Sequence, residues 1–214
     1  MRKIWVILLG VLSFFFLQTG SVTTAGPNPV VADAKTLLQI GQDDRVLGNR
    51  DAPITIVEYA SLGCPHCAHF TNDVLPEIKK AWIDTGKAKL VLRDFPLDEP
   101  SLRAAMITRC APPDRFYAFA DTFFASQDKW ATGTKDYREA LARLAKLGGM
   151  GKDEFDACLK NTTLENRIVE QRLTATQELD VNATPTFFVN GSKFSGAPTA
   201  EEFNRVLSGL VAKS

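Results

Sequence analysis

Asp51-Ala-Pro-Ile-Thr-Ile-Val-Glu-Tyr-Ala60 runs into Ser61-Leu-Gly63 and then Cys64-Pro65-His66-Cys67, and this stretch decides the fold. The residues after Pro53 form a nearly unbroken apolar run, the pattern of a central strand buried on both faces. Ser61-Leu-Gly63 turns the chain. A helix is predicted from about Cys64, with Pro65 suited to its first turn. Cys64 then sits at a helix N-terminus, where unpaired backbone N–H groups and the positive end of the helix dipole favour thiolate over thiol. Cys67 lies one turn later on the same face, within disulfide reach and more shielded. His66, between them, is expected to stabilise the Cys64 thiolate further.

A stabilised thiolate favours the reduced pair, so the disulfide form becomes a strong oxidant. The pattern therefore points to thiol–disulfide exchange, with Cys64 the attacked and attacking sulfur, Cys67 its resolver and no cofactor beyond the Cys64–Cys67 disulfide. An inert staple or half of a zinc site is the alternative for an isolated C-x-x-C. Cys64, His66, Cys67 and His69 are four possible ligands in six residues and include both histidines. Structural zinc sites join ligand pairs across a loop, and one helical turn does not wrap four ligands around one ion. No metal site is expected, and His69 reads as a solvated helix residue.

Glu58 is the one charge in the predicted central strand. A buried carboxylate is costly unless neutral or paired. The alternative is a strand-end glutamate that reaches water or a lysine.

Arg2-Lys3, the apolar Ile4 to Leu17 and the polar Gln18 to Ser21 read as an export leader, with cleavage after Thr23-Thr24-Ala25. The apolar part is too short to span a membrane comfortably, although an uncleaved anchor is the alternative. Export places the cysteines in an oxidising compartment, a periplasm or its equivalent. The chain has 25 basic and 25 acidic residues. Losing Arg2 and Lys3 leaves it near neutral, without the basic stripe of a nucleic-acid binder.

The rest of the chain divides into an N-terminal lead-in (26–48), a helical segment (98–178) and two flanking parts of one α/β domain (49–97 and 179–214). The lead-in is polar, with a short amphipathic stretch at Lys35 to Ile40. Lys87 to Pro96 is predicted as a second strand, and Pro76 should kink the first helix. From Pro100 to Glu178 the period is helical, broken at Pro112-Pro113, Thr132-Gly-Thr134 and Gly148-Gly-Met-Gly151, giving four or five helices. Phe187 to Phe194 reads as a hairpin turning at Asn190-Gly191. Thr199 caps a last helix. The order β-α-β, helices, β-β-α is a thioredoxin-like fold: a central mixed β-sheet flanked by helices, with a helical insertion domain.

Glu58, Cys64-Pro65-His66-Cys67, Val181-Asn-Ala-Thr-Pro185 and Phe187-Phe-Val-Asn-Gly191 together resemble the DsbA family of thiol:disulfide interchange proteins, over roughly Pro53 to Leu210. The resemblance implies oxidation of newly exported, cysteine-containing polypeptides and recharging by a DsbB-like, quinone-linked membrane partner. It matches Pro185 to the family's cis-proline and Thr184 to the residue before it. The Thr184 backbone would then lie beside Cys64, able to pair with a client segment as an added strand. It places Glu58 beneath the disulfide, where it could shuttle a proton as Cys67 titrates.

Cys110 and Cys158 remain. An even cysteine count in an exported chain invites a second, structural disulfide, which would close about 49 residues and stabilise by about 4 kcal/mol. Two buried free thiols are the alternative. Thr184 departs from the oxidase pattern towards relatives of the DsbC and DsbG type, which are isomerases or reductases. Those are dimers built on a long N-terminal region, and the lead-in here is too short for one. The expectation is a monomeric oxidase, with an isomerase or reductase, a periplasmic metal-binding protein or a client-binding chaperone as alternatives.

Overall fold

In the computed structural model, which describes residues 33–131, 133, 136–196 and 198–211, the apolar run after Pro53 lies at the middle of a sheet. The leader expected at 1–25 and the start of the lead-in fall outside the described residues. In chain order the strands are β1 (Val46–Leu47), β2 (Ile54–Ala60), β3 (Ala88–Asp94), β4 (Thr186–Val189) and β5 (Ser192–Ser195). In space the order is β1-β3-β2-β4-β5. β2 pairs parallel with β3, from Ile54↔Ala88 to Ala60↔Asp94, and antiparallel with β4, from Ile56↔Val189 to Tyr59↔Thr186. A strand with neighbours on both edges and cover on both faces has no wet side, hence its continuous apolar character. The two-residue β1, antiparallel to β3, was not anticipated, because two residues carry no periodicity.

Alternation along β2 splits the core in two. Ile54 and Ile56 pack with Leu90, Phe187, Phe70, Ile78 and Phe203 on one face. Val57 and Tyr59 pack with Val91, Phe188, Leu38 and Ala175 on the other. Glu58, two residues after Ile56, enters the first face beyond the end of its aliphatic layer.

Helix α1 (Ala34–Leu37) precedes the sheet. After β2, α2 (Pro65–His69) and α3 (Leu75–Ile78) belong to one helical run reaching Ile83, joined by π-helical turns at Phe70–Val74 and Lys79–Ile83. Pro76 sits at the start of α3, directly after the first π turn. Its missing N–H and bulky ring thus fall where the helix has already widened.

The insertion comprises α4 (Glu99–Cys110), α5 (Phe116–Ala125), α6 (Gln127–Trp130), α7 (Tyr137–Leu147), α8 (Lys152–Leu159) and α9 (Thr162–Glu178). That is more than the four or five helices expected. Ser126 alone separates α5 from α6, and Lys160-Asn161 separate α8 from α9, with no glycine or proline to mark either break. The helices enclose a third core around Phe116, Phe123, Trp130, Leu141 and Ile107. The aromatics Phe116, Phe119, Phe123 and Phe124 are all buried in it. After the hairpin, whose Asn190 and Gly191 take the positive φ values (46° and 83°) of a tight turn, α10 (Ala200–Val211) closes the chain. Thr199 and Glu202 cap it reciprocally, the Thr199 N–H donating to Oε2 at 2.8 Å and the Glu202 N–H to Oγ1 at 3.2 Å.

Arg93 on β3 fastens the lead-in to the sheet. Its guanidinium is buried and donates to both Asp44 oxygens (3.1 and 2.8 Å), to the Tyr59 hydroxyl and to the carbonyls of Leu37 and Gln39. A buried charge so fully partnered is tolerated inside a protein.

Candidate active site

β2 ends at Ala60, and the turn that follows is closed by the Cys64 N–H donating to the Ser61 carbonyl at 3.0 Å. Cys64 is the N-cap of α2, with extended backbone (φ −79°, ψ 123°) and Pro65 in the first turn. The two cysteines are not bridged; Cys64 is 6 % exposed and Cys67 fully buried. They belong to the insertion's core cluster, alongside Ala60, Leu62 and Leu92.

The two sulfurs have opposite tendencies. A hydrogen bond from the Cys67 thiol, working against desolvation and joined by Thr184 and the N–H groups of Cys67 and His66, brings Cys64 down to about 5. Burial pushes the Cys67 thiol well above the ordinary range, and the hydrogen bond to Cys64 and the charge of Glu58 add to this. A thiolate and a neutral thiol on one helical turn are the arrangement needed for an attacking sulfur and a sheltered resolving one.

His66 is exposed; what it turns towards Cys64 is its backbone N–H. His69 is exposed too, its Nδ1 2.7 Å from an Asp73 carboxylate oxygen. Among the described residues no group of three or more His, Cys, Asp or Glu side chains converges as a metal site would require.

Glu58 lies in the sheet with Leu92 and Phe187 as its register partners and is 1 % exposed. Its Oε1 has no hydrogen-bond partner among the described residues. Burial first, then the Cys64 charge, push its carboxyl up to about 8. It therefore holds a proton at neutral pH, and once it ionises at higher pH its charge opposes ionisation of Cys67.

The Thr184–Pro185 peptide is cis, and the Thr184 carbonyl oxygen lies 3.3 Å from Cys64 Sγ across 120 residues of chain. Pro185 is buried and Thr184 half-buried, its backbone forming one wall of the site. Cys110 at the end of α4 and Cys158 in α8 are joined by a disulfide with their Cα atoms 6.1 Å apart.

Gln127, which no motif singles out, also reaches the site. Its Nε2 donates to the carbonyls of Leu62 (2.6 Å) and Cys64 (3.0 Å). Gly63, between those two, packs so tightly on α4 that a Cβ there would stand 2.4 Å from Ser101 Oγ. Contacts 63 and 65 residues apart in sequence leave no local signal.

A family model described as thioredoxin matches residues 41–208. A Rickettsia bellii relative, named provisionally as a protein-disulfide oxidoreductase, is 37 % identical over 164 residues, 76 % of this chain and 63 % of its own length. The chain thus spans somewhat under two thirds of that relative. Disulfide bond formation protein D of Bacillus subtilis is 29 % identical over 157 residues, 68 % of this chain and 67 % of its own length. Among solved structures, Wolbachia pipientis alpha-DsbA1 superposes with a TM-score of 0.79 and 34 % identity, covering 84 % of this chain and 96 % of that one.

Proposed function

The chain belongs to the DsbA family of thiol:disulfide interchange proteins, within the thioredoxin superfamily, and from that premise we propose that it is an exported oxidase that donates its Cys64–Cys67 disulfide to newly translocated proteins. The observation that carries this reading is the pairing of an acidic Cys64 thiol at the head of α2 with a buried, weakly acidic Cys67 thiol above a neutral Glu58.

In the oxidised protein, a client thiolate attacks Cys64 Sγ and breaks the Cys64–Cys67 bond. Cys67 leaves with the electron pair, and its burial favours rapid protonation. The Glu58 carboxyl is the buried acid placed to supply that proton. A second client thiolate then attacks the client sulfur of the mixed disulfide and expels Cys64, whose stability as a thiolate makes it a good leaving group. The client gains a disulfide and the protein two electrons. The Thr184 backbone, beside Cys64, is the edge on which the client chain is held as an added strand. Pro65 and His66 set the helix start, and the Cys110–Cys158 disulfide braces the insertion. Reoxidation falls to a DsbB-like membrane quinone reductase. The protein works as a monomer in the periplasm or an equivalent space.

Equilibration of the pair with glutathione tests the direction of transfer. A strongly oxidising pair, reduced readily by glutathione, is expected. A pair as reducing as cytosolic thioredoxin would overturn the oxidase assignment in favour of a reductase or isomerase.

A further inference from the structure

The loop that carries Cys64 is gripped from the insertion side by one side chain. A glutamine amide has two N–H donors, and Gln127 directs its nitrogen to the carbonyls on either side of Gly63, those of Leu62 and Cys64. The Cys64 carbonyl is also the first acceptor of the helical run, taking the Ala68 N–H at 3.1 Å. The same oxygen thus ties the loop to α2 and to α6.

Gln127 is itself firmly placed. It is the first residue of α6, whose last residue, Trp130, is fully buried in the insertion core and donates its ring N–H to the Phe123 carbonyl at 3.0 Å. Ala131, next in the chain, lies over Gly63: a Cβ added to Gly63 would meet the Ala131 Cβ at 3.7 Å and Ser101 Oγ at 2.4 Å. The loop is therefore clasped between α4 and α6, and among the described residues Gln127 is the side chain that donates to its carbonyls.

We propose that Gln127 is a positioning residue of the redox site, holding the Leu62–Cys64 loop so that the Cys64 sulfur stays over the N–H groups that open α2. The proposal rests on the redox reading of the site. It assigns part of the site's oxidising strength to the insertion rather than to the Cys-Pro-His-Cys motif. Gln127 touches no reacting atom. It acts through the backbone angle of Cys64, since an N-cap residue released from its extended conformation no longer aims its side chain along the helix axis.

The test uses the full chain with Gln127→Met, which keeps length and volume but has no donor, and Gln127→Asn, which keeps the donors on a shorter arm. Thiolate absorbance near 240 nm is followed against pH in the reduced proteins, the glutathione equilibrium is measured, and thermal unfolding is recorded. The Met variant should raise the Cys64 midpoint by roughly half a unit to one unit, a three- to tenfold loss of thiolate preference, and make the pair correspondingly less oxidising. The Asn variant should shift it less, and decides the matter if the Met variant does not fold. A folded variant that melts earlier but titrates and equilibrates like the parent would reduce Gln127 to a structural tie and overturn the proposal. The parent's own midpoint and glutathione equilibrium judge the oxidase reading separately, because the Gln127 proposal is decided only by the difference between variant and parent.

Discussion

The two cysteine pairs of this chain have the same elements and opposite surroundings. Cys64 and Cys67 are three residues apart, at a helix start, with hydrogen-bond donors turned on one sulfur and apolar burial on the other. Cys110 and Cys158 are 48 residues apart, between the end of α4 and the last turn of α8, within aliphatic and aromatic packing. Closing the first pair constrains almost no chain, so its bond energy is left to chemistry. Closing the second removes a long loop from the unfolded ensemble, so its bond goes into stability. Asymmetry between the partner sulfurs, more than the presence of a disulfide, separates a site that exchanges bonds from one that keeps them.

The largest expected effect comes from Cys64→Ser. Disulfide transfer to a reduced, unfolded substrate should fall to the uncatalysed background, while a Cys110→Ala/Cys158→Ala protein transfers at near the parental rate. Equal losses in both would erase the distinction. The double variant should instead lose about 4 kcal/mol of unfolding free energy in denaturant titration, on the chain-entropy account.

Glu58→Gln sharpens the contrast through pH. In the reduced parent, Cys64 ionises near 5 when folded, below its unfolded value, so it adds stability as pH rises from about 5 towards 9. Glu58 stays protonated to about 8 when folded, above its unfolded value, so it removes stability over much the same range. The unfolded chain holds the cysteine proton and the folded one the glutamate proton, so the slopes cancel and reduced-state stability should be nearly flat from pH 5 to 8. In Glu58→Gln only the cysteine slope remains, and stability should climb by about 1.4 kcal/mol per pH unit. Denaturant midpoints across that range decide it; a parent that climbs as steeply as the variant would mean that Glu58 does not hold a proton against Cys64, and a flat variant that the Cys64 thiol is not acidic.

The smallest effect is local. Gly63→Ala drives a methyl group onto Ser101 Oγ and should cost about 1–3 kcal/mol in unfolding free energy. Adding Ser101→Gly should return most of it. No recovery would show that the loop is held elsewhere.

What could be read from the chain followed the range of each signal. The apolar run of β2, the proline after Cys64, the Asn190-Gly191 turn and the Thr199 cap all act within a few residues, and the order of elements along the chain follows from them. β1 escaped because its two residues gain their geometry only from β3. The Arg93–Asp44 pair escaped because partners 49 residues apart look like ordinary surface charges until the lead-in folds back. In the site, Glu58 stood out as a lone charge in an apolar strand. The backbone donor at His66 was not singled out, because the sequence draws attention to the imidazole. Gln127 was invisible, a polar residue in a helix too short to have a face.

The redox sulfurs are counted among the neighbours of α4, α5 and α6 although the strand and helix that carry them belong to the sheet. The site is in that sense a party wall. Grafting Cys-Pro-His-Cys onto a related scaffold of the same strand order, but without these helices, would transfer the letters and leave behind part of the masonry. Protein engineers seeking a portable oxidant should therefore move the loop together with the helices that lean on it.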